Sequence, residues 1–188
     1  MKFLYHAFAV ILSFFLIPQL TYASDGSEIS ITPLPGSDQK QGTIEHVLSG
    51  TFDEVWEALI GADHFSQTMP RNKKTIILEQ RNDLLRYHAQ LNMPWPISDV
   101  EFDCDMFMNV DRKWIEFKMV PGSGKGVKNF YGHWELQPQS DHAILAKYSV
   151  VFESEKNYPQ WAMNIGLKST LGNVMKKLQA YIDQQHQK

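Results

Sequence analysis

Apolar and polar residues alternate with period two through the middle of the chain and recur near period 3.6 at its end. The clearest alternation lies at residues 98–110. Val100, Phe102, Cys104, Met106 and Met108 share one parity, and Asp99, Glu101, Asp103 and Asp105 share the other. Successive side chains of a strand point to opposite faces, so this segment predicts a strand with one apolar and one wet face. Further strands are expected at residues 42–49, 74–80, 84–93, 113–120, 129–137 and 142–154. Arg81-Asn82-Asp83 supplies a turn between two of them. Short strands at this spacing favour an antiparallel meander.

Thr51 and Glu54 have capping-box spacing, ahead of an apolar face of Val55, Trp56, Leu59 and Ile60. A second short helical or irregular stretch, 64–69, ends at Pro70. Residues 159–184 predict one long helix. Pro159 suits its first turn, and Trp161, Ile165, Leu171, Val174, Met175, Leu178 and Ile182 recur at helical spacing. The sheet is the one partner large enough to bury that stripe. The fold class is therefore α+β, with a curved antiparallel sheet against a long C-terminal helix and two short helices after the first strand.

The N-terminus changes the picture. Lys2, an apolar run from Ala7 to Ile17, Pro18 and the small-residue site Thr21-Tyr22-Ala23 read as a cleaved signal peptide, 1–23. An uncleaved membrane anchor is the alternative, although a spanning helix needs about 20 apolar residues. Secretion or a periplasmic location follows as an expectation. Residues 24–40, rich in Ser, Asp, Gly and Pro, read as a flexible leader, and 41–188 as one domain with its own core. Removal of Lys2 with the signal takes the net charge from -3 to -4, which gives no reason to expect nucleic acid. Cys104 is the one cysteine and is expected to be a buried, inert thiol.

Reactive motifs are sparse. The segment 121–128 has Gly124-Lys125, but a phosphate loop needs glycine at 119 and Ser or Thr at 126, where Met119 and Gly126 stand. A hairpin loop is the simpler reading, one that could gate a neighbouring cavity. His46, His64, His88, His133 and His142 show no metal-ligand spacing, and no Gly-x-Ser-x-Gly elbow is present. His88 and His133 fall on the polar parity of their strands. The acids of 99–105 splay along one strand face and are expected to be solvated, not to hold a metal. No cofactor is expected.

Three fragments carry a resemblance. They are Met93-Pro94-Trp95-Pro96-Ile97-Ser98-Asp99, Gly132-His133-Trp134-Glu135-Leu136-Gln137-Pro138 and Tyr158-Pro159-Gln160-Trp161. In this order, over roughly residues 42–186, the chain resembles the START-like domains of the helix-grip superfamily, which also includes Bet v 1-like proteins. Val100-Glu101 stands where relatives often carry Arg-Asp, and Tyr158 where they carry an aliphatic residue. The resemblance implies a helix-grip fold with an apolar cavity between sheet and C-terminal helix.

The expected cavity wall comprises Leu91, Met93, Trp95, Phe102, Cys104, Met106, Phe117, Phe130, Trp134 and Tyr148, with Trp161, Ile165 and Leu171 from the helix. Met93, Met106, Met108, Met119 and Met163 would give it an adaptable lining. The implied partner is a lipid or other apolar small molecule, exchanged through transient membrane contact. The superfamily also hosts cyclase-type enzymes on aromatic or polyketide-like substrates, for which His133, Glu135, Tyr87 and Asp99 are the nearest candidate acids or bases. A third reading is an interaction domain with a filled core and an exposed apolar patch.

Overall fold

The computed structural model describes residues 27–37 and 39–187. The expected signal segment, 1–23, lies outside the described residues. In chain order the elements are β1 (Glu28–Pro33), β2 (Lys40–Ser49), α1 (Phe52–Ile60), a 3₁₀ turn (Ala62–His64) and α2 (Phe65–Thr68). They continue with β3 (Asn72–Gln80), β4 (Leu84–Leu91), β5 (Val100–Asn109), β6 (Trp114–Met119), β7 (Val127–Ser140), β8 (Ala143–Ser154) and α3 (Gln160–Gln185). The strands form one curved antiparallel sheet in the order β1-β2-β8-β7-β6-β5-β4-β3.

β1 corrects the sequence reading. Residues 28–33 were expected in a flexible leader, yet they pair with β2 from Glu28↔Glu45 to Pro33↔Lys40. Only Ile29 and Ile31 carry the apolar parity there, too short a run to stand out beside the prolines. Ile29 lies close to Gly172 of α3, so the strand extends the sheet under the helix.

Local signals explain the helices. Thr51 Oγ1 accepts from the Glu54 amide, and Glu54 Oε2 accepts from the Thr51 amide, completing the capping box. α1 then buries Val55, Trp56, Ala58 and Leu59. α3 buries Ala162, Gly166, Leu171, Val174, Met175, Leu178 and Ile182. Trp161 and Ile165 were expected on that stripe but are 55% and 58% exposed. Ile165 precedes Leu171 by six residues, which at 3.6 residues per turn places it about 120° away from the buried face. The true stripe continues backward through Leu167, Gly166 and Ala162.

The core lies between the concave face of the sheet and α3. Val100, Phe102, Cys104 and Met106 of β5 are buried there, as the alternation requires. The opposite parity is less wet than expected. Asp105 is buried, accepting from Arg86 Nε at 2.6 Å and Nη2 at 2.9 Å, and Asp103 meets His88 Nδ1 at 2.8 Å. Hydrogen bonding to Arg86 holds the Asp105 carboxyl below its ordinary range. These pairs form because β4 and β5 set Arg86 opposite Asp105 and His88 opposite Asp103.

Gly132, flanked by the inward Phe130 and Trp134, shows how closely the core is filled. A Cβ there would sit 2.0 Å from the Ser149 carbonyl oxygen and 2.5 Å from Phe117 Cζ. Gly132→Ala is therefore expected to lower stability by about 1–3 kcal/mol, the usual cost of overpacking. A urea unfolding midpoint equal to that of the unaltered protein would show that the strands yield freely.

Cys104 is 0% exposed, and burial pushes its thiol up to about 12. Iodoacetamide should leave the native thiol unmodified and label it quickly in denaturant, since only the thiolate reacts. Equal rates in the two conditions would place Cys104 outside the core.

Candidate functional site

Two adjoining chambers remain between the sheet and α3. The inner one encloses about 90 Å³. Its wall includes Phe102 and Met106 of β5, Phe117 of β6, Phe130 and Trp134 of β7, and Tyr148 of β8. Tyr87 and Ala89 of β4, Phe65 of α2 and Val174 of α3 close it. The aromatic rings support one another: Trp134 and Tyr148 stack at 4.3 Å between centroids, and Phe102 meets Phe130 at 4.8 Å. Such pairs fix ring positions beyond simple area burial.

The outer chamber encloses about 330 Å³. It is bounded by Leu91, Met93 and Ile97, by Phe152, Glu153 and Lys156, and by Met163, Asn164 and Leu167. Both chambers share Pro70, Leu91, Phe130, Tyr148 and Thr170, so these residues stand at the boundary between them. Together the chambers lie within the roughly 300–1,000 Å³ range of small-molecule sites.

The mouth is built by three segments. The loop after β4 carries Pro94 and Ile97 toward Gly166 in the early turns of α3. Tyr158, before α3, holds the same loop: its hydroxyl accepts from the Ser98 amide at 3.1 Å and lies 3.2 Å from Ser98 Oγ. Those hydrogen bonds lower the Tyr158 hydroxyl pKa. The 122–126 loop, expected as a gate, lines neither chamber. Ser123 Oγ bonds to the backbone of Asp103 and Val120, and the Gly126 amide donates to Glu155 at 2.8 Å.

Eight of the expected wall residues line a chamber: Leu91, Met93, Phe102, Met106, Phe117, Phe130, Trp134 and Tyr148. Cys104 and Leu171 point the same way but are fully packed core and line neither. Trp95 is 87% exposed. The prolines on either side place it in the loop, beyond the end of the pleat that would have turned it inward. Trp161 and Ile165 face outward with it, around the early turns of α3. Of the methionines, Met93, Met106 and Met163 line the chambers, whereas Met108 and Met119 do not.

Several wall residues were not foreseen. Tyr87 and Ala89 share parity with Leu91, so the β4 alternation already carried them. Phe65, Met69, Arg71 and Thr170 depend on how α2 and α3 dock, which no local pattern encodes.

The ionisable groups divide sharply. Among the described residues, the inner wall holds two phenols, Tyr87 and Tyr148, and no Asp, Glu, His, Lys or Arg. Burial raises the pKa of both phenols, so they stay neutral. His133 and Glu135, 3.3 Å apart, lie on the outer face, where His133 stacks on Trp114 at 4.3 Å. Burial lowers the His133 pKa. Asp99 accepts from the Met93 amide at 3.1 Å in the mouth loop. No group of three His, Cys, Asp or Glu side chains converges among the described residues.

No family model and no curated protein matches the chain. Solved structures do. A STAR-related lipid transfer protein from Xanthomonas axonopodis is 20% identical, with 88% of this chain and 98% of that chain covered and a TM-score of 0.77. Human StAR-related lipid transfer protein 5 is 15% identical, with 88% and 86% covered and a TM-score of 0.66. The Zhui aromatase/cyclase from Streptomyces sp. R1128 is 13% identical, with 76% and 94% covered and a TM-score of 0.64. The shared order of strands and helices, with the long last helix laid across the sheet, gives this chain the helix-grip fold of those structures.

Proposed function

We propose that this protein carries a lipid or similar apolar molecule between the sheet and α3. The observation that supports it is the inner chamber, an aromatic and aliphatic pocket without a charged side chain, adjoining a larger chamber that reaches the surface. Moving an alkyl or ring surface from water into such a pocket gains about 25 cal/mol per Å². Neutral groups, Tyr87, Tyr148, Thr170 and Asn72, are available to orient the cargo. The likeness to two lipid transfer proteins agrees with this reading.

Export fits the same proposal. Residues 1–23 have the composition of a cleaved signal, which would place the carrier in the periplasm or outside the cell. The exposed Trp95, Trp161 and Ile165 beside the mouth suit brief contact with a lipid surface, because Trp partitions to the membrane interface. Cyclase-type chemistry, suggested by the aromatase/cyclase likeness, would need an acid or base facing the substrate. Of His133, Glu135, Tyr87 and Asp99, only Tyr87 faces the inner chamber, and it is held neutral.

Native mass spectrometry of protein from its own host, with organic extraction, is expected to yield an apolar mass in stoichiometric amount. Thr170→Phe places a ring at the boundary of the two chambers, where overpacking costs about 1–3 kcal/mol. It should weaken uptake of a fluorescent fatty acid by about tenfold or more, with the thermal transition retained. An empty protein that also takes up no probe would contradict the carrier reading.

A further inference from the structure

We propose that the outer chamber is an anion site, and that the cargo is an amphipathic acid whose carboxylate or phosphate group is held by Arg71. The proposal rests on the carrier reading and names the chemical class of the cargo.

Arg71 sits between α2 and β3 with φ of 65°, a left-handed conformation uncommon for a residue with a side chain. Its carbonyl accepts from the Asn92 amide at 2.9 Å, which anchors the residue to the end of β4. The side chain lines the outer chamber. Nη2 donates to Ser169 Oγ of α3 at 3.1 Å. Nε is buried and has no hydrogen-bond partner among the described residues. Arg71 belongs to no ion pair among them.

Nε is closed to water-sized space, so an anion in the chamber would meet the guanidinium at its terminal nitrogens, and the unpaired Nε–H leaves the group's charge without a balancing acceptor. A neutral hydroxyl on one nitrogen does not balance the charge. The rest of the wall does not supply an anion either. Its other charged residues are Lys40, Lys156 and Glu153. Glu153 is already engaged, accepting from Lys128 Nζ at 2.6 Å and from the Gln39 side-chain amide. Lys40 Nζ reaches Asn164 Oδ1 at 3.3 Å. The chamber thus presents three cations and one neutralised carboxylate.

An anionic head group in the outer chamber would accept from the Arg71 guanidinium, whose planar donors suit carboxylate and phosphate. The attached chain would then run past Thr170 into the uncharged inner chamber. Strain at a left-handed backbone position is tolerated where a side chain must be aimed at a ligand.

The test compares probes of one chain length by calorimetry: dodecanoate, dodecyl phosphate and dodecanol, at mildly alkaline pH. The unaltered protein should bind at least one acid about tenfold or more tightly than dodecanol, as a charge-assisted hydrogen bond allows. Which acid is preferred distinguishes a carboxylate head from a phosphate. Arg71→Gln should abolish that preference and keep dodecanol affinity, and Arg71→Lys should keep part of it. The Arg71 Nε–H resonance of the unaltered protein should move with the acid and not with the alcohol, a readout independent of whether the variants fold. Equal affinity for acid and alcohol, a preference that survives in Arg71→Gln, or an unmoved Nε–H resonance would overturn the anion site. Dodecanol binding without an acid preference would leave the carrier reading intact, whereas failure of all three probes would remove both.

Discussion

One helix cannot fill the hollow of an eight-stranded sheet. Strands spaced 4.7–4.9 Å apart make a sheet about 34 Å across, whereas a helix with its side chains is about 10–12 Å wide. The chain meets this mismatch unevenly. From Leu171 onward α3 packs down through Leu171, Val174, Met175, Leu178 and Ile182, with α1 beside it. Towards its start, α3 carries Ala162 and Gly166, too small to fill the space. The outer chamber lies at that end, and the inner one lies deeper, against Thr170 and Val174. The outer chamber therefore follows from where the large side chains stop along one helix.

The arrangement of polarity within that space follows the same geometry. Deep positions come from the inward parity of β4–β8, where burial tolerates aromatic rings and neutral hydroxyls but penalises charge. The outer chamber is built by segment ends and loops, which carry Lys40, Arg71, Glu153 and Lys156. Deep apolar walls and a cationic entrance would suit the proposed cargo, a molecule with one greasy part and one polar end. The exposed Trp95, Trp161 and Ile165 extend the apolar character onto the surface beside the entrance.

Much of the fold was legible because period-two alternation is a local property. The β5 pattern placed Phe102, Cys104 and Met106 inward without any knowledge of the partner strands. The same logic fails where regular structure ends. Trp95 sits in a proline-bounded loop, so parity says nothing about its direction. Trp161 and Ile165 share a spacing with each other but not a phase with Leu171, and only docking on the sheet reveals which phase is buried. Asp105 shows the converse limit: its parity was right, yet its burial depends on Arg86 standing opposite in β4. Arg71 was invisible for a similar reason, since its aim depends on a left-handed backbone and on Asn92 and Ser169, distant in sequence.

The proposed cargo would occupy the space between sheet and α3. Methyl NMR of selectively labelled methionines, titrated with a saturated hydrocarbon chain, tests it residue by residue. Met69, Met93, Met106 and Met163, which line the chambers, are expected to shift together, while Met108 and Met119 stay in place. Shifts confined to Met108 and Met119, or none at saturating probe, would contradict it.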